Sequence, residues 1–261
     1  MRKQYETIWH GIPFESFATL SVSRLPDPSF YARFYEILHQ KYRDVDDLDA
    51  SWLNLKRQVA GLITNNPKIK KGDRILSVGC GLGIIEMALL QEGFLNIEIT
   101  EVSEAPLRWV RPLFPLKNVH VGFFPDCILH NEKFDVVFLA SVEYFLEKEE
   151  LFNLLRAVHD KLLPGGTCLL VSWSFDIMSF SSHLILRAKD FLRPLLYKEA
   201  GRRYGQFIGY FRRPAEFRRA IRSAGFKQVR DGMLDTKTNW NTYWIEATKN
   251  SIKLEDIYNE K

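Results

Sequence analysis

Cysteine is scarce in this sequence. Its 261 residues include three, Cys80, Cys127 and Cys168, and no two of them form a CxxC pair. Disulfide frameworks and thiolate metal sites need several cysteines at short spacing, so neither is predicted. The six histidines are also scattered along the chain. We therefore expect no bound metal ion.

Long hydrophobic runs are missing as well. Glu86 and Asp176 interrupt the two most apolar stretches before either approaches the roughly 20 residues that a membrane-spanning helix requires. The opening segment, MRKQYETIWHGIPF, has no continuous apolar core of the kind found in signal peptides. These absences predict a cytoplasmic protein without a transmembrane segment.

Hydrophobic residues make up 46% of the chain and charged residues 26%. A chain of this length and composition can bury a full core, as one large domain or one domain with additions. The net charge of +4 is unevenly distributed, because residues 187–222 carry eleven lysines or arginines against three acids. Such a segment can attract anionic ligands, although a charge run is more often a solvated helix face.

From residue 74 onward, short hydrophobic runs alternate with segments of helical periodicity. The runs that predict buried strands are Arg74–Gly79, Asn96–Glu101, Asn118–Phe123, Phe134–Ala140, Thr167–Trp173, Phe226–Asp231 and Thr242–Thr248. The segments that predict helices are Ile84–Gln91, Glu104–Phe114, Lys148–Leu162 and one that begins at Pro214 and stops at Gly225. This alternation predicts a doubly wound α/β domain over residues 71–261, with a mostly parallel sheet and helices on both of its faces.

Two regions fall outside this alternation. Residues 1–70 are predicted to form a helical cap, with helices near Ser29–Arg43 and Leu48–Ile63 that lie over the carboxyl edge of the sheet as a lid. Residues 174–213 form a segment too long for an ordinary loop. They predict a basic helical insertion after the fifth strand of the domain.

A glycine-rich turn follows the first strand predicted for the domain. Gly79, Gly81 and Gly83 are spaced as GxGxG, and glycines allow both a tight turn and the close approach of a ligand to the backbone. A dinucleotide fingerprint GxGxxG would need glycine at position 84, where the chain has Ile84. The spacing present is the form found in enzymes that bind S-adenosylmethionine (SAM), which disfavours an NAD-dependent oxidoreductase.

A carboxylate ends the next predicted strand. Glu101 lies eighteen residues beyond Gly83, where an acid can accept hydrogen bonds from both hydroxyls of an adenosine ribose. A plain surface carboxylate at a strand end is the alternative. The glycine turn makes the ribose role the better prediction.

From about Lys71 to Trp173 the sequence resembles the class I SAM-dependent methyltransferase family. Five motifs match that family in order: Val78-Gly79-Cys80-Gly81-Leu82-Gly83, Glu101-Val102-Ser103, Asp126-Cys127, Phe134-Asp135-Val136-Val137 and Leu162-Leu163-Pro164-Gly165-Gly166. A weaker match runs from Arg212 to Phe226. The resemblance implies a seven-stranded sheet with an antiparallel last strand, and SAM lying across the carboxyl ends of the first strands.

The resemblance also implies a set of cofactor contacts, with Asp126 and Cys127 at the adenine. The full set is Gly79, Cys80, Gly81, Gly83, Glu101, Val102, Asp126, Cys127 and Ala140. The sequence departs from the family at Ser77, where an acid is common, and at Pro125, where glycine is frequent. The adenine contact is therefore less firmly implied than the glycine loop.

A methyltransferase mainly has to align its reactants and exclude water. A base assists when the acceptor is a hydroxyl or a protonated amine. Glu143, shortly after the fourth strand, is the candidate general base, with Tyr144 beside it; a helix-start carboxylate and a core aromatic are their structural alternatives. Weaker candidates are His130 and His183 as bases, and Tyr31 and Tyr35 as cover for the sulfonium charge.

The acceptor is the least constrained part of this prediction. The basic segment suits a small-molecule, sugar, glycan or lipid-intermediate acceptor, methylated on O or N, that carries phosphate or another anion. A nucleic-acid methyltransferase would use the same charge, but neither an RNA-binding module nor an Asn-Pro-Pro-Tyr-like motif is present. Nucleic acid is therefore not the expected partner. A non-catalytic SAM-binding protein is a further alternative.

Overall fold

The computed structural model describes residues 2–174, 205–234 and 241–250. Its strands are β1 (Arg2–Glu6), β2 (Ile8–Trp9), β3 (Ile12–Pro13), β4 (Ile75–Val78), β5 (Ile97–Glu101), β6 (Val119–Val121), β7 (Phe134–Ala140), β8 (Leu162–Ser174), β9 (Gln206–Phe211), β10 (Lys227–Leu234) and β11 (Asn241–Thr248). Its α-helices are α1 (Pro28–Lys41), α2 (Ala50–Thr64), α3 (Ile84–Gln91), α4 (Lys148–Lys161) and α5 (Pro214–Ser223).

Seven of these strands form one sheet in the order β10-β11-β8-β7-β4-β5-β6. Strands β4 to β8 pair in parallel, with Ile75 of β4 opposite Ile97 of β5 and Val136 of β7. Strand β11 is antiparallel to both of its neighbours, β8 and β10. The predicted seven-stranded, mostly parallel sheet is confirmed, including its antiparallel last strand.

Helices cover both faces of the sheet. Because successive side chains of a strand point to opposite faces, Val137 of β7 packs with Leu155 of α4 and Phe217 of α5 in one buried cluster. Its neighbour Val136 packs with α2 and α3 in another, which includes Ile63 and Leu89. The predicted doubly wound α/β architecture is therefore confirmed.

One predicted helix, Glu104–Phe114, is wrong. Two short 3-10 turns occupy this segment, at Ala105–Arg108 and Arg111–Leu113, and each contains a proline in its first positions. Proline has no backbone N–H to donate to the residue four positions earlier, and its ring clashes with that carbonyl. The two prolines therefore prevent a continuous α-helix, although the apolar spacing is helical.

The N-terminal region is only partly helical, which corrects the all-helical cap predicted for residues 1–70. Helices α1 and α2 are present, but β1 pairs antiparallel with β9, and β2 and β3 form a hairpin. The partner of β1 lies about 200 residues away in the chain. The local periodicity of hydrophobic residues therefore cannot indicate this pairing. Strand β9 also replaces helix at the end of the predicted insertion, whose residues 175–204 lie outside the described part of the chain.

The cap packs on the glycine turn through an aromatic cluster. Phe14 meets both Phe30 and Phe34 edge to face, and the cluster extends to Leu82 and Ile84 beside the turn. The side chain of Asp27 accepts a hydrogen bond from the Phe30 backbone N–H and so caps α1 at its start. Helix α1 is thereby fixed over the carboxyl edge of the sheet. No helix among the described residues is long and apolar enough to cross a membrane.

Candidate active site

The glycine turn joins the buried strand β4 to helix α3. Gly79, Gly81 and Gly83 all have left-handed backbone angles, with φ of 69°, 57° and 72°. A Cβ atom at Gly83 would lie 2.2 Å from the Val110 side chain, and one at Gly79 would lie 2.6 Å from Val142. These two positions therefore require glycine for both conformation and space.

Replacing Gly83 by alanine is expected to lower the free energy of unfolding by about 2–5 kcal/mol. The left-handed conformation costs a non-glycine residue about 1–2 kcal/mol, and displacing the Val110 side chain costs about 1–3 kcal/mol more. Chemical denaturation followed by circular dichroism measures the loss. Gly72→Ala is the matched control, because a Cβ there would meet nothing within 4 Å. Equal stability of the two variants would contradict this packing.

The middle glycine lies on the open side of the turn. A Cβ at Gly81 would have only the Tyr35 hydroxyl nearby, at 3.6 Å. The Gly81 backbone N–H donates a 2.9 Å hydrogen bond to Glu101, whose other carboxylate oxygen accepts one of 2.8 Å from the Val102 N–H. Burial raises the pKa of Glu101, and these two hydrogen bonds partly offset the increase. The end of β5 thus holds a carboxylate directly against the glycine turn.

The predicted adenine pair follows the neighbouring strand, β6. The Gly122 N–H donates a 2.8 Å hydrogen bond to the Glu101 backbone carbonyl, which ties the start of this loop to the end of β5. Asp126 is exposed, whereas Cys127 is half-buried and lies against Gly122. The loop is therefore at the same edge of the sheet as Glu101. Its contact with adenine stays a prediction.

The loop after β7 lies on the glycine turn. Ala140 ends the strand, and Ser141 then adopts a left-handed φ of 64°, a strained conformation for serine. The Ser141 N–H donates a 2.8 Å hydrogen bond to the Val171 carbonyl of β8. This bend places Val142 against Gly79 and directs the following residue, Glu143, into the protein interior.

Glu143 is fully buried, and neither of its carboxylate oxygens has a hydrogen-bond partner among the described residues. Burial raises its pKa, and Ser172 and the charge of Arg212 moderate the increase. The Arg212 guanidinium does not pair with this carboxylate but donates to two backbone carbonyls, those of Glu143 and Leu146. A buried carboxyl group without partners is costly in a folded protein. Such a group points to a ligand that would satisfy it.

Tyrosine and phenylalanine side chains lie around Glu143. Tyr144 is buried, and its pKa is raised by burial and by the proximity of Tyr31, Tyr35 and Glu143. The Tyr31 ring meets Phe145 edge to face at 5.2 Å, while its hydroxyl is buried without a described partner. Burial and the nearby Glu101 carboxylate raise the pKa of Tyr35. Helix α1 therefore covers both the glycine turn and the loop that carries Glu143.

Two further groups in this region, Glu86 and Lys56, were not predicted from the sequence. Glu86, in the first turn of α3, is buried, accepts a hydrogen bond from the Ser77 hydroxyl and has one oxygen without a described partner. Burial raises its pKa to about 7. The charge of Lys56 on α2 acts on both Glu86 and Glu143. Glu86 therefore brings a carboxyl group to Ser77, the position at which the sequence lacks the usual acid.

The described residues include only some of the remaining candidates. His130 is exposed, and His183 lies outside the described residues. Of the basic segment, Arg212 is engaged with backbone carbonyls, Arg213 with Glu216 in the capping box of α5, and Arg218 with Asp231. The arginines and lysines at 187–203 fall where the structure gives no description. No group of three potential metal ligands occurs among the described residues.

The fold and the site together define the class of enzyme to which the chain belongs. A parallel sheet with a glycine turn after one strand and a carboxylate after the next is the arrangement of α/β enzymes that bind an adenosine-containing ligand. A family model described as a methyltransferase domain matches residues 51–230. The chain belongs to this methyltransferase domain family.

Sequence relatives cover part of the chain. A tRNA U34 carboxymethyltransferase from Desulfotalea psychrophila is 32% identical over 129 residues, which are 48% of this chain and 39% of that protein. A cypemycin N-terminal methyltransferase from a Streptomyces species is 31% identical over 103 residues, 38% of this chain and 41% of the relative. The chain thus spans about two fifths of the length of either relative.

Solved structures share the fold. A SAM-dependent methyltransferase from Methanosarcina mazei superposes with a TM-score of 0.56 at 19% identity, covering 73% of this chain and 98% of that one. Magnesium protoporphyrin IX methyltransferase from Synechocystis, solved with bound S-adenosylhomocysteine, gives a TM-score of 0.53 at 18% identity, covering 77% and 84%. At sequence identities of 18–19%, this similarity indicates a shared fold.

Proposed function

We propose that this enzyme transfers the methyl group of SAM to an oxygen or nitrogen atom of a small-molecule acceptor, with Glu143 as the general base and Tyr144 beside the reacting atoms. One observation carries the proposal. Neither oxygen of the fully buried Glu143 carboxylate forms a hydrogen bond of good geometry with a described residue, and Tyr31 and Tyr35 lie near the adjacent Tyr144. A hydroxyl or amine of the acceptor would supply the missing hydrogen bond.

The residues of the glycine turn fit the cofactor. In the proposed complex the backbone of Gly79, Cys80, Gly81 and Gly83 lies against SAM, and Glu101 exchanges its bonds to backbone N–H groups for the two ribose hydroxyls. Val102, Asp126, Cys127 and Ala140 complete the proposed contacts. The bound cofactor supplies an activated methyl group on a sulfonium.

The protein contributes alignment, exclusion of water and a proton acceptor. The acceptor atom forms its bond to the methyl carbon while the carbon–sulfur bond breaks, and the proton of the acceptor passes to the Glu143 carboxylate. The products are the methylated acceptor and S-adenosylhomocysteine. The tyrosines of α1 keep water from the site, and their ring faces stabilise positive charge there.

The basic segment that predicts an anionic acceptor is only partly described. Arg212, Arg213 and Arg218 each have protein partners, whereas Arg219 and Arg222 are exposed on α5. The other basic residues on which the prediction depends lie at 187–203. Changing Arg202 and Arg203 to glutamine, with Arg212 left intact because it holds the Glu143 loop, would test it through the KM of the acceptor.

A nucleic-acid acceptor is the second candidate, because one relative is named a tRNA U34 carboxymethyltransferase. The two candidates differ in where the transferred methyl group is found. We expect isotope-labelled methyl from SAM to enter the small-molecule fraction of a cell extract, with the RNA and protein fractions unlabelled. Glu143→Gln protein is the control for unrelated activity. Label in RNA, with binding that weakens steeply as salt rises, would replace the small-molecule proposal by the nucleic-acid one.

A further inference from the structure

A cavity of about 600 Å³ opens between the β2–β3 hairpin, the end of α1, the start of α2 and the end of β8. Its volume falls in the range of small-molecule binding sites, roughly 300–1,000 Å³. Indole rings from three separate elements line it: Trp9, Trp52 and Trp173. Each of these rings is half-buried, so part of its surface remains available to a ligand.

The turn between β2 and β3 directs a histidine into this cavity. His10 and Gly11 have φ of 49° and 66°, the pattern of a two-residue type I′ turn, in which the first position favours asparagine or glycine over histidine. The Tyr42 hydroxyl donates a 2.8 Å hydrogen bond to the His10 carbonyl, and the Lys41 ammonium donates one of 2.8 Å to the Gly11 carbonyl. The end of α1 therefore holds the histidine in a strained conformation, which is common at functional positions.

The imidazole is held among aromatic rings. His10 meets Trp52 edge to face at 4.6 Å and stacks with Trp9 at 5.7 Å. Burial and the positive charges of Lys56 and Lys41 lower the pKa of His10 to about 4, although Asp49 acts in the opposite direction. The ring is therefore uncharged near pH 7 and can hydrogen-bond to a neutral polar group.

The charged residues that line the cavity are acidic. Asp47 and Asp49 line it, and both carboxylates accept backbone N–H groups, those of Arg43 and of the first turn of α2 respectively. The nearby Lys41 and Lys56 are not among the lining residues and lie against the rings of Tyr42 and Trp52, 5.1 and 5.3 Å from the ring centres. An anionic ligand would therefore meet two carboxylates and no cation among the described residues that line the cavity.

The cavity adjoins the proposed reaction centre. Trp173 forms part of its wall and stacks on Tyr144 with 5.9 Å between ring centres. Lys56, next to the lining residue Leu55, is close enough for its charge to act on both His10 and Glu143. The wall of the cavity is thus continuous, through Trp173, with the side chains around Glu143 and Tyr144.

We propose that this cavity binds the acceptor and that the acceptor is an aromatic compound without negative charge, held between Trp9, Trp52 and Trp173 and hydrogen-bonded to His10. The inference rests on the proposed small-molecule function and narrows its substrate class. The three indoles supply flat apolar faces on which a ring can stack, and His10 supplies orientation through one polar contact.

The test uses three naphthalene probes of one shape and different charge: 2-naphthol, 2-naphthoate and 2-naphthylmethylammonium. They are titrated at pH 7 into the full chain saturated with S-adenosylhomocysteine, and the indole N–H resonances are followed by two-dimensional NMR. We expect 2-naphthol to shift the resonances of Trp9, Trp52 and Trp173 with a Kd of about 0.1–1 mM, and 2-naphthoate to bind at least about tenfold more weakly than either 2-naphthol or 2-naphthylmethylammonium. Trp109, half-buried and hydrogen-bonded to the Arg43 carbonyl, is the internal control.

The His10→Asn variant tests whether the imidazole binds the probe without disturbing the fold, because asparagine suits the left-handed turn but lacks the imidazole ring. We expect this variant to bind 2-naphthol about fivefold more weakly and S-adenosylhomocysteine with unchanged affinity. Tightest binding of 2-naphthoate, equal shifts at Trp109, or unchanged 2-naphthol affinity in His10→Asn would each overturn the proposal. If S-adenosylhomocysteine binds in the same samples while 2-naphthol does not, the cavity assignment fails and the methyltransferase function stands.

Discussion

Glu143→Gln is expected to lower kcat by about 10²- to 10⁴-fold, the usual contribution of a general base. Glutamine has the shape of glutamate but cannot accept the proton of the acceptor. Glu143 is buried and forms no ion pair with a described side chain, and the Ser172 hydroxyl, which lowers its pKa, can donate to the amide oxygen of glutamine as well. Initial rates with the acceptor found by labelling measure kcat. Calorimetry with SAM measures the affinity for the methyl donor separately. We expect the affinity for SAM to change by less than about twofold.

The pH dependence of kcat independently tests the assignment of Glu143 as the general base. Burial raises the pKa of Glu143 above that of an ordinary carboxyl group, and the base must be deprotonated to act. The kcat of the natural enzyme should therefore fall as pH decreases through that raised pKa, and the Glu143→Gln variant should lack this acidic limb. Glu149→Gln, an exposed carboxylate on α4, is the matched control. A full acidic limb in Glu143→Gln would assign the proton transfer to another group.

Gly81→Arg is expected to abolish SAM binding, because the arginine side chain would fill the open side of the glycine turn beneath Tyr35. Glu101→Ala is expected to weaken binding by about 30- to 900-fold. This range corresponds to the loss of about 2–4 kcal/mol from two hydrogen bonds between ribose hydroxyls and a charged carboxylate. Isothermal titration calorimetry with SAM, S-adenosylhomocysteine and NAD measures both variants on one scale.

Controls for these variants come from the same region. Gly72→Arg adds the same side chain at a glycine whose Cβ would meet nothing within 4 Å, and Glu104→Ala removes an exposed carboxylate three residues beyond Glu101. Both should bind SAM with natural affinity, and NAD should not bind at all. Unchanged SAM binding in Gly81→Arg and Glu101→Ala would place the cofactor elsewhere on the protein.

The sheet of the catalytic domain was largely predictable, for a physical reason. A parallel strand is buried on both faces, so it appears in the sequence as a short continuous hydrophobic run between turn residues. Phe134–Ala140 was predicted with the observed bounds of β7, and Ile84–Gln91 with those of α3. The glycine turn and Glu101 were predicted to lie together, and the structure joins them through the Gly81 hydrogen bond.

The parts that could not be predicted depend on contacts between distant segments. Nothing local in Arg2–Glu6 indicates that it pairs with Gln206–Phe211. The positions of Lys56, His10 and the cavity between them depend on how α2 and the β2–β3 hairpin meet. Glu86 did carry a sequence indication, because it is an acid in the otherwise apolar first turns of a buried helix. A buried acid of this kind needs a partner, and Ser77 provides it.

The pairing of β1 with β9 also bears on how the protein is made. A ribosome releases the N-terminal strand first, yet its hydrogen-bonding partner is synthesised about 200 residues later, and contacts of such long range form slowly. The sheet strands β4 to β8 have neighbours much nearer in the chain and can assemble earlier. The cap, and with it the acceptor cavity, would then close only after Gln206–Phe211 has been synthesised. A chain that stops before residue 206 would retain the glycine turn but would lack the strand that anchors its own beginning.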